Sequence, residues 1–355
     1  MKNPLLVTLV IAICLTLSKI NCGNERKEPE VLKYRLSEVA HSDYRWTGVA
    51  VSKKGRIFVN YPRWSDNIPF SVGEIMESKE VKPYPDLEWN NWDSLKSVHD
   101  HFICVQSVYI DLNDNLWILD PANPMFGGVI EGGPKLLKVD LESNQVIQTI
   151  LFDSTITDRN SYLNDVRVDI KTNTAYITDS GYGAIIVVNL NTSQSRRVLS
   201  NHFSTKAEDI TLKIANNELS IKVHSDGIAL DDEQDYLYYQ ALTGHHLYRI
   251  KTDYLRDQSI PEADLGSKVE LVGKSGASDG LFFRDGFVYL TSIEHNAIKR
   301  ITEQGEVQLV LKDTLLEWPD SFSMSDDGEI YVTTSRIGFP ADSKPFRLFK
   351  LISGN

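Results

Sequence analysis

The sequence predicts an all-β fold, a six-bladed β-propeller whose ring is closed by an N-terminal strand. Three observations carry that expectation. Ser225 to Ile250, SDGIALDDEQDYLYYQALTGHHLYRI, reads as three short alternating runs separated by turns, a meander that cannot bury both of its faces alone. The unit returns at Ser278, SDGLFFRDGFVYLTSIEHNAIKRI, and more loosely elsewhere. Aligning the unit starts at Gly48, Ser107, Asp165, Asp226, Asp279 and Asp320 gives spacings of 59, 58, 61, 53 and 41 residues, a repeat lengthened irregularly by loops. A β-sandwich of successive meanders is the alternative, but sandwiches do not repeat one blade pattern.

The chain of 355 residues opens with Lys2 and an apolar run, Leu5 to Leu17. That run is too short to span a bilayer comfortably, so residues 1–21 read as a signal peptide and residues 22–30 as a polar tether. Cys22, ahead of Gly23-Asn24-Glu25, stands where a bacterial lipoprotein carries its lipid. Lys19 and Asn21 match the usual lipidation motif poorly, which leaves lipidation and simple cleavage both open. The expectation is an exported protein, in a bacterial envelope (periplasmic or lipid-anchored) or secreted, meeting a membrane only through such an anchor. Cys14 lies inside the apolar run, which leaves Cys104 in FICVQSVYI without a disulfide partner. It is expected to be a buried small hydrophobe.

Residues 31–355 are read as one propeller. Val31 to Leu36 alternates like an isolated strand, and the last unit runs out of chain after its third strand, Phe346 to Leu351. The orphan strand is therefore expected to pair there and hide an exposed edge. Blade 1 is WTGVAVSKKGRIFVNYPRW; blade 2 is VQSVYIDLNDNLWILD with Lys135 to Asp140 and Val146 to Phe152. Blade 3 is LNDVRVDIKTNTAYITDSGYGAIIVVNL with Arg196 to Leu199, blades 4 and 5 are the two SDG units, and blade 6 is WPDSFSMSDDGEIYVTTSR. One short helix is expected near Asp253 to Asp257, ended by Pro261.

Net charge is 37 − 49 = −12, or −14 once Lys2 and Lys19 leave with the leader. Nucleic acid and anionic lipid need a basic footprint, so neither is expected as a partner. A small-molecule ligand, cationic in character, and a monomer are. In a propeller each innermost strand starts beside the central channel, which sets Asp165, Asp226, Asp279 and Asp320 in a ring, with Asn164 and Gln106 near it. Several carboxylates within about 10 Å cannot all stay ionised without a cation or strong donors. Two readings follow: Ca²⁺ or another divalent cation bound by oxygen ligands, or an organic cation such as an amine. The bland alternative is that each Asp caps a turn through its own backbone.

His224 precedes Ser225-Asp226 and is read as lining the same channel, whereas His245, His246 and His295 fall in turns between second and third strands. There is no G-x-S-x-G, no Walker loop and no H-E-x-x-H. Gly127-Gly128 and Gly132-Gly133 open no helix, which argues against a phosphate cradle.

Four stretches then stand out: PYPDLEWN (Pro83 to Asn90), VQSVYIDLNDNLWILD, AYITDSGYGAIIVVNLNTSQSRRVL and YLRDQSIPEADLGSKVELVGKSGASDGLFF. From about Trp46 to Arg336 the chain resembles the major royal jelly protein/Yellow family, whose bacterial members are labelled dopachrome-tautomerase-related. The resemblance implies a six-bladed propeller and secretion. It also implies binding of biogenic amines in the central channel or dopachrome conversion, an isomerisation for which Asp226 or His224 is the candidate general base. The cysteines that form disulfides in insect members are missing. A more distant likeness to gluconolactonase propellers implies a divalent metal held by Asn164 or Asp165 and by Asp226, and lactone hydrolysis. The acidic ligand expected in the first blade is replaced by Thr47-Gly48. A non-catalytic envelope scaffold is the third expectation.

Overall fold

The computed structural model describes residues 34–340 and 344–354. The leader, the tether and Cys22 lie outside them. Among the described residues no helix is long and apolar enough to cross a membrane.

Six four-stranded antiparallel sheets form the ring of the described residues. Their inner strands are Val49–Val51, Ser107–Ile110, Leu163–Asp169, Ser225–Leu230, Ser278–Arg284 and Pro319–Met324. Each packs beside the next, and the last returns to the first. Every blade is a β-meander except the sixth, in which Tyr34–Ser42 pairs outside Phe346–Ser353. The register runs from Tyr34 opposite Ser353 to Ser42 opposite Phe346 with one shift between Glu38 and Ala40. The closing strand is thus longer at its C-terminal end than the alternation of Val31 to Leu36 predicted, and residues 31–33 fall outside the description.

A ring results because each blade has two apolar faces. The second strands Thr174–Asp179 and Tyr236–Ala241 alternate large residues to both sides: Ala175 and Ile177 pack toward blade 2, Tyr176 toward blade 4. Likewise Leu237 and Tyr239 pack toward blade 3 while Tyr238 packs toward blade 5. Six interblade cores follow, one for each neighbouring pair, and the core between blades 6 and 1 joins Ala40 of the closing strand to Trp46, Val49 and Leu348. A strand covered on both faces is buried along its whole length, and an open stack would leave two such faces wet.

Three departures from expectation have local causes. The helix near Asp253 is Thr252–Arg256, but Pro261 does not merely end it: Pro261 caps a second short helix, Glu262–Gly266, where its lack of an N–H costs nothing. A further short helix, Leu87–Asn90, is capped by Asp86 accepting from Trp89 N. A hairpin, Leu212–Ile214 with Asn217–Leu219, rises between blades 3 and 4 and packs on Leu242, Ile293 and Trp318. Cys104 is fully buried as expected, its thiol pushed up to about 12 chiefly by burial.

Neighbouring inner strands approach one another closely at the SDG units. A Cβ on Gly227 would sit 2.2 Å from the carbonyl oxygen of Asp279, and one on Gly280 would sit 2.2 Å from that of Asp320. Neighbouring inner strands touch there backbone to backbone, and only glycine allows it. Gly280→Ala is expected to cost roughly 2–3 kcal/mol, read as a lower urea midpoint with the slope unchanged.

Candidate functional site

The ladder of each of blades 3 to 6 is interrupted at the same place. Pairing holds at Leu163, Ser225, Ser278 and Pro319, slips for two residues, and resumes at Val166, Ile228, Leu281 and Phe322. Such a bulge re-aims a side chain. Its first residues, Asn164, Asp226, Asp279 and Asp320, all line one cavity of about 660 Å³ at the mouth of the channel, together with Gln106 of blade 2. Blade 1 presents Thr47 at this level: Thr47 N bonds Asn60 O as Gln106 N bonds Leu119 O.

This corrects the alignment made on sequence. Asp165, set level with Asp226, is instead level with Gly227; Gly48 and Ser107 are likewise one residue past the ring. Asp165 accepts from Ser107 Oγ at 3.0 Å and does not line the cavity. His224 does not line it either: its Nδ1 accepts from Ala207 N at 2.8 Å, and burial lowers its pKa. His245 and His246 pair with Glu294 and Glu208, and His295 meets Ser292.

The three ring carboxyls are 3%, 8% and 4% exposed at Asp226, Asp279 and Asp320, too little for each to keep a hydration shell. Asp226 and Asp279 are neighbours in the ring, close enough that each shifts the other's titration. Asp226 accepts from Asn164 Nδ2, Asp279 from Trp318 Nε1 at 2.7 Å, and Asp320 from Ser321 Oγ at 3.1 Å. Burial, followed by the fields of Asp279, Asp165 and Asp320, drives Asp226 well above the usual carboxylate range. Burial and then Asp279 do the same to Asp320. Burial raises Asp279 to about 7, the Trp318 bond holding it below its neighbours. The ring is thus a proton-sharing cluster with one member poised near neutrality.

Above the floor the walls are aromatic. Phe126 stacks on Tyr162 at 5.3 Å and lies 5.6 Å from Trp64. Trp64 Nε1 donates to Tyr162 OH at 2.6 Å, which donates to Gln106 Oε1 at 2.9 Å, so the wall is wired to the ring. Phe126 and Trp318, which line the cavity, have φ of +54° and +53°, strained for bulky residues. On the far side of the ring Arg167 reaches from blade 3 to Leu281 O of blade 5 at 2.7 Å, and a side chain therefore crosses the channel.

The residues fit a caged metal poorly. Asn164 turns its amide nitrogen to Asp226, Asp165 faces Ser107, and no group of three or more His, Cys, Asp or Glu side chains among the described residues is arranged to hold an ion. The chemistry on offer is that of a carboxylate beside a carboxylic acid, under aromatic walls.

Arg45, Trp64, Phe126, Tyr162 and Trp318 were not singled out from sequence. Only the WPD run at Trp318 carried a signal, its tryptophan directly preceding the strand that bears Asp320.

The raised pKa of Asp279 makes the folded state bind more protons than the unfolded one between about pH 4 and pH 7, so its contribution to stability is present at low pH and is lost as pH rises through that range. Asp279→Asn keeps an acceptor for Trp318 without the titration. It is expected to flatten the fall in stability between pH 5 and pH 8 and to raise stability at pH 8 by roughly 2–4 kcal/mol, measured by thermal or urea unfolding of both proteins across that range.

Residues 103–339 match the sequence profile of the family described as Major royal jelly protein. Among curated proteins, Major royal jelly protein 3 of Apis mellifera is 24% identical over 394 residues, covering 93% of this chain and 70% of that protein. Major royal jelly protein 6 of the same organism is 23% identical over 66% of this chain and 55% of its own length. Dopaminechrome tautomerase of Drosophila melanogaster is 25% identical over 42% of this chain and 34% of its own. In the last two matches the chain spans about half or less of the relative's length. Among solved structures, a gluconolactonase from Xanthomonas campestris superposes with a TM-score of 0.57 at 12% identity, covering 90% of each chain. Virginiamycin B lyase from Staphylococcus aureus gives 0.52 at 12%, covering 90% of this chain and 99% of its own. Both likenesses speak for the propeller fold alone.

Proposed function

This chain belongs to the major royal jelly protein family, and we propose that its channel cavity binds a small aromatic molecule carrying a protonated amine or iminium and isomerises it by moving a proton. The observation that carries this reading is the proton-sharing ring of Asp226, Asp279 and Asp320 beneath aromatic walls. A ring near neutrality gains from a cation: the ammonium favours the ionised form of Asp279 and pairs with it in a dry site, while Asp226 keeps its proton. The aromatic walls take the ring by stacking, and a cavity of about 660 Å³ is of the size that holds a small ligand.

A tautomerase needs one base and one acid and no cofactor. Asp279, ionised near neutrality, takes a proton from a ring-adjacent carbon of the bound iminium or quinonoid ligand. The electron pair left by that C–H bond flows into the ring system, and a ligand oxygen takes a proton from the carboxylic acid of Asp226. The proton gained by Asp279 then passes to its ring neighbour Asp226, restoring both groups. The name of the Drosophila relative, dopaminechrome tautomerase, supports this class of reaction. The lactonase alternative needs a metal, and the donor set described above does not favour one.

Titration calorimetry with tyramine and dopamine is expected to show binding that strengthens with pH, by up to ~tenfold per unit below pH 7, with protons released to the buffer. An aminochrome-consumption assay is expected to lose ~10²–10⁴-fold in kcat on Asp279→Asn or Asp226→Asn. No heat with any aromatic amine, together with no effect of Asp226→Asn, would remove the reading.

A further inference from the structure

Two donors in the cavity are left unspent by the site as described so far. Arg45 lines it, two residues before Thr47 and so on the one blade whose ring position carries neither acid nor amide. Its guanidinium lies 5.9 Å from the ring centre of Trp64 and 5.5 Å from that of Phe346. Among the described residues no hydrogen bond or ion pair occupies its N–H groups, and the like charge of Arg336 also reaches it. Asp320 is the acid whose field reaches Arg45, and burial raises its pKa well above the ordinary range, which weakens the countercharge it offers. Gln106 is the second donor: its Oε1 takes the Tyr162 hydroxyl, which leaves Nε2 without a partner among the described residues.

A half-buried guanidinium that lines a cavity and has no protein partner for its N–H groups is free to bind a ligand there. The planar fork matches a carboxylate bidentately, and the nearby rings of Trp64 and Phe346 limit where it can lie. Rim cations are no substitute: Lys222 is tied to Asp209 at 2.9 Å and to Glu208 O at 3.0 Å, and Arg159 is exposed. The cavity therefore has two chemical halves. Blades 1 and 2 present donors, Arg45 and Gln106, while blades 4 to 6 present Asp226, Asp279 and Asp320, with Trp64, Phe126, Tyr162 and Trp318 among the walls.

We propose that this cavity selects a zwitterion, an aromatic α-amino acid or a derivative that keeps its carboxylate, with Arg45 holding the carboxylate while the acidic ring holds the nitrogen. The proposal rests on the reading of the cavity as an aromatic-amine site and narrows it. Arg45 is then a specificity-determining residue. A simple amine fills one half of the site and leaves the arginine unpaired; an acid lacking nitrogen does the reverse.

The test compares L-tyrosine, tyramine and 3-(4-hydroxyphenyl)propionate by calorimetry, on the wild-type chain and on Arg45→Met and Arg45→Lys. Wild type is expected to bind tyrosine at least ~tenfold more tightly than either of the other two. Arg45→Met is expected to lower the tyrosine-to-tyramine affinity ratio at least ~tenfold, and Arg45→Lys, which keeps the charge but not the fork, to give an intermediate ratio. The wild-type series carries the test even if a variant fails to fold. Tyramine binding as tightly as tyrosine overturns this inference and leaves the amine reading standing. The propionate matching tyrosine, or Arg45→Met weakening both ligands equally, overturns it as well. If none of the three binds to wild type, the inference and the reading beneath it fall together.

Discussion

Three carboxyl groups that cannot all be ionised in one dry space are the constraint on which the centre of this molecule depends. Asp226, Asp279 and Asp320 are nearly excluded from water and close enough to shift one another. Their stable state is a shared proton rather than three charges. From that follow the mutual shifts of the ring carboxyls and the role of Trp318 in keeping Asp279 the most acidic of the three, and on it rests the proposed uptake of a cation.

The fold creates the constraint by packing inner strands closer than side chains permit. Gly227 and Gly280 let each strand lie on the next one's carbonyl, and the bulge just there turns the preceding aspartate inward. Closure by Tyr34–Ser42 holds the ring at that circumference. The same strand also delivers the chain to Arg45, Trp46 and Thr47, so one element closes the propeller and positions the cation that faces the acids. Arg167 crosses the channel on the far side, leaving the cavity open toward the aromatic rim.

Much of this was legible in the sequence. Six units, the closing strand and the membership of Asp226, Asp279 and Asp320 in one ring all follow from strand alternation and repeat spacing. The slip of one residue at Asp165 came from aligning Asp with Asp. Aligning one buried apolar residue of each inner strand, Val49, Val108, Val166, Ile228, Leu281 and Phe322, and stepping back two positions yields Thr47, Gln106, Asn164, Asp226, Asp279 and Asp320. Burial, not residue identity, keeps register. Arg45, Phe126 and Trp318 were beyond reach because their roles arise from long-range contacts: Trp318 bonds a carboxylate 39 residues away, and Arg45 lies against Phe346 from the far end of the chain.

The most direct test of the account is the titration of the ring itself, followed through carboxyl carbon resonances of protein labelled at aspartate, with Asp226→Asn, Asp279→Asn and Asp320→Asn to assign them. The account predicts one buried carboxyl titrating near pH 7, assigned to Asp279, and two that stay protonated well beyond the ordinary aspartate range. Three resonances that all titrate near the ordinary aspartate value of about 4 would contradict it, and with it the proton-sharing ring on which the proposed chemistry stands.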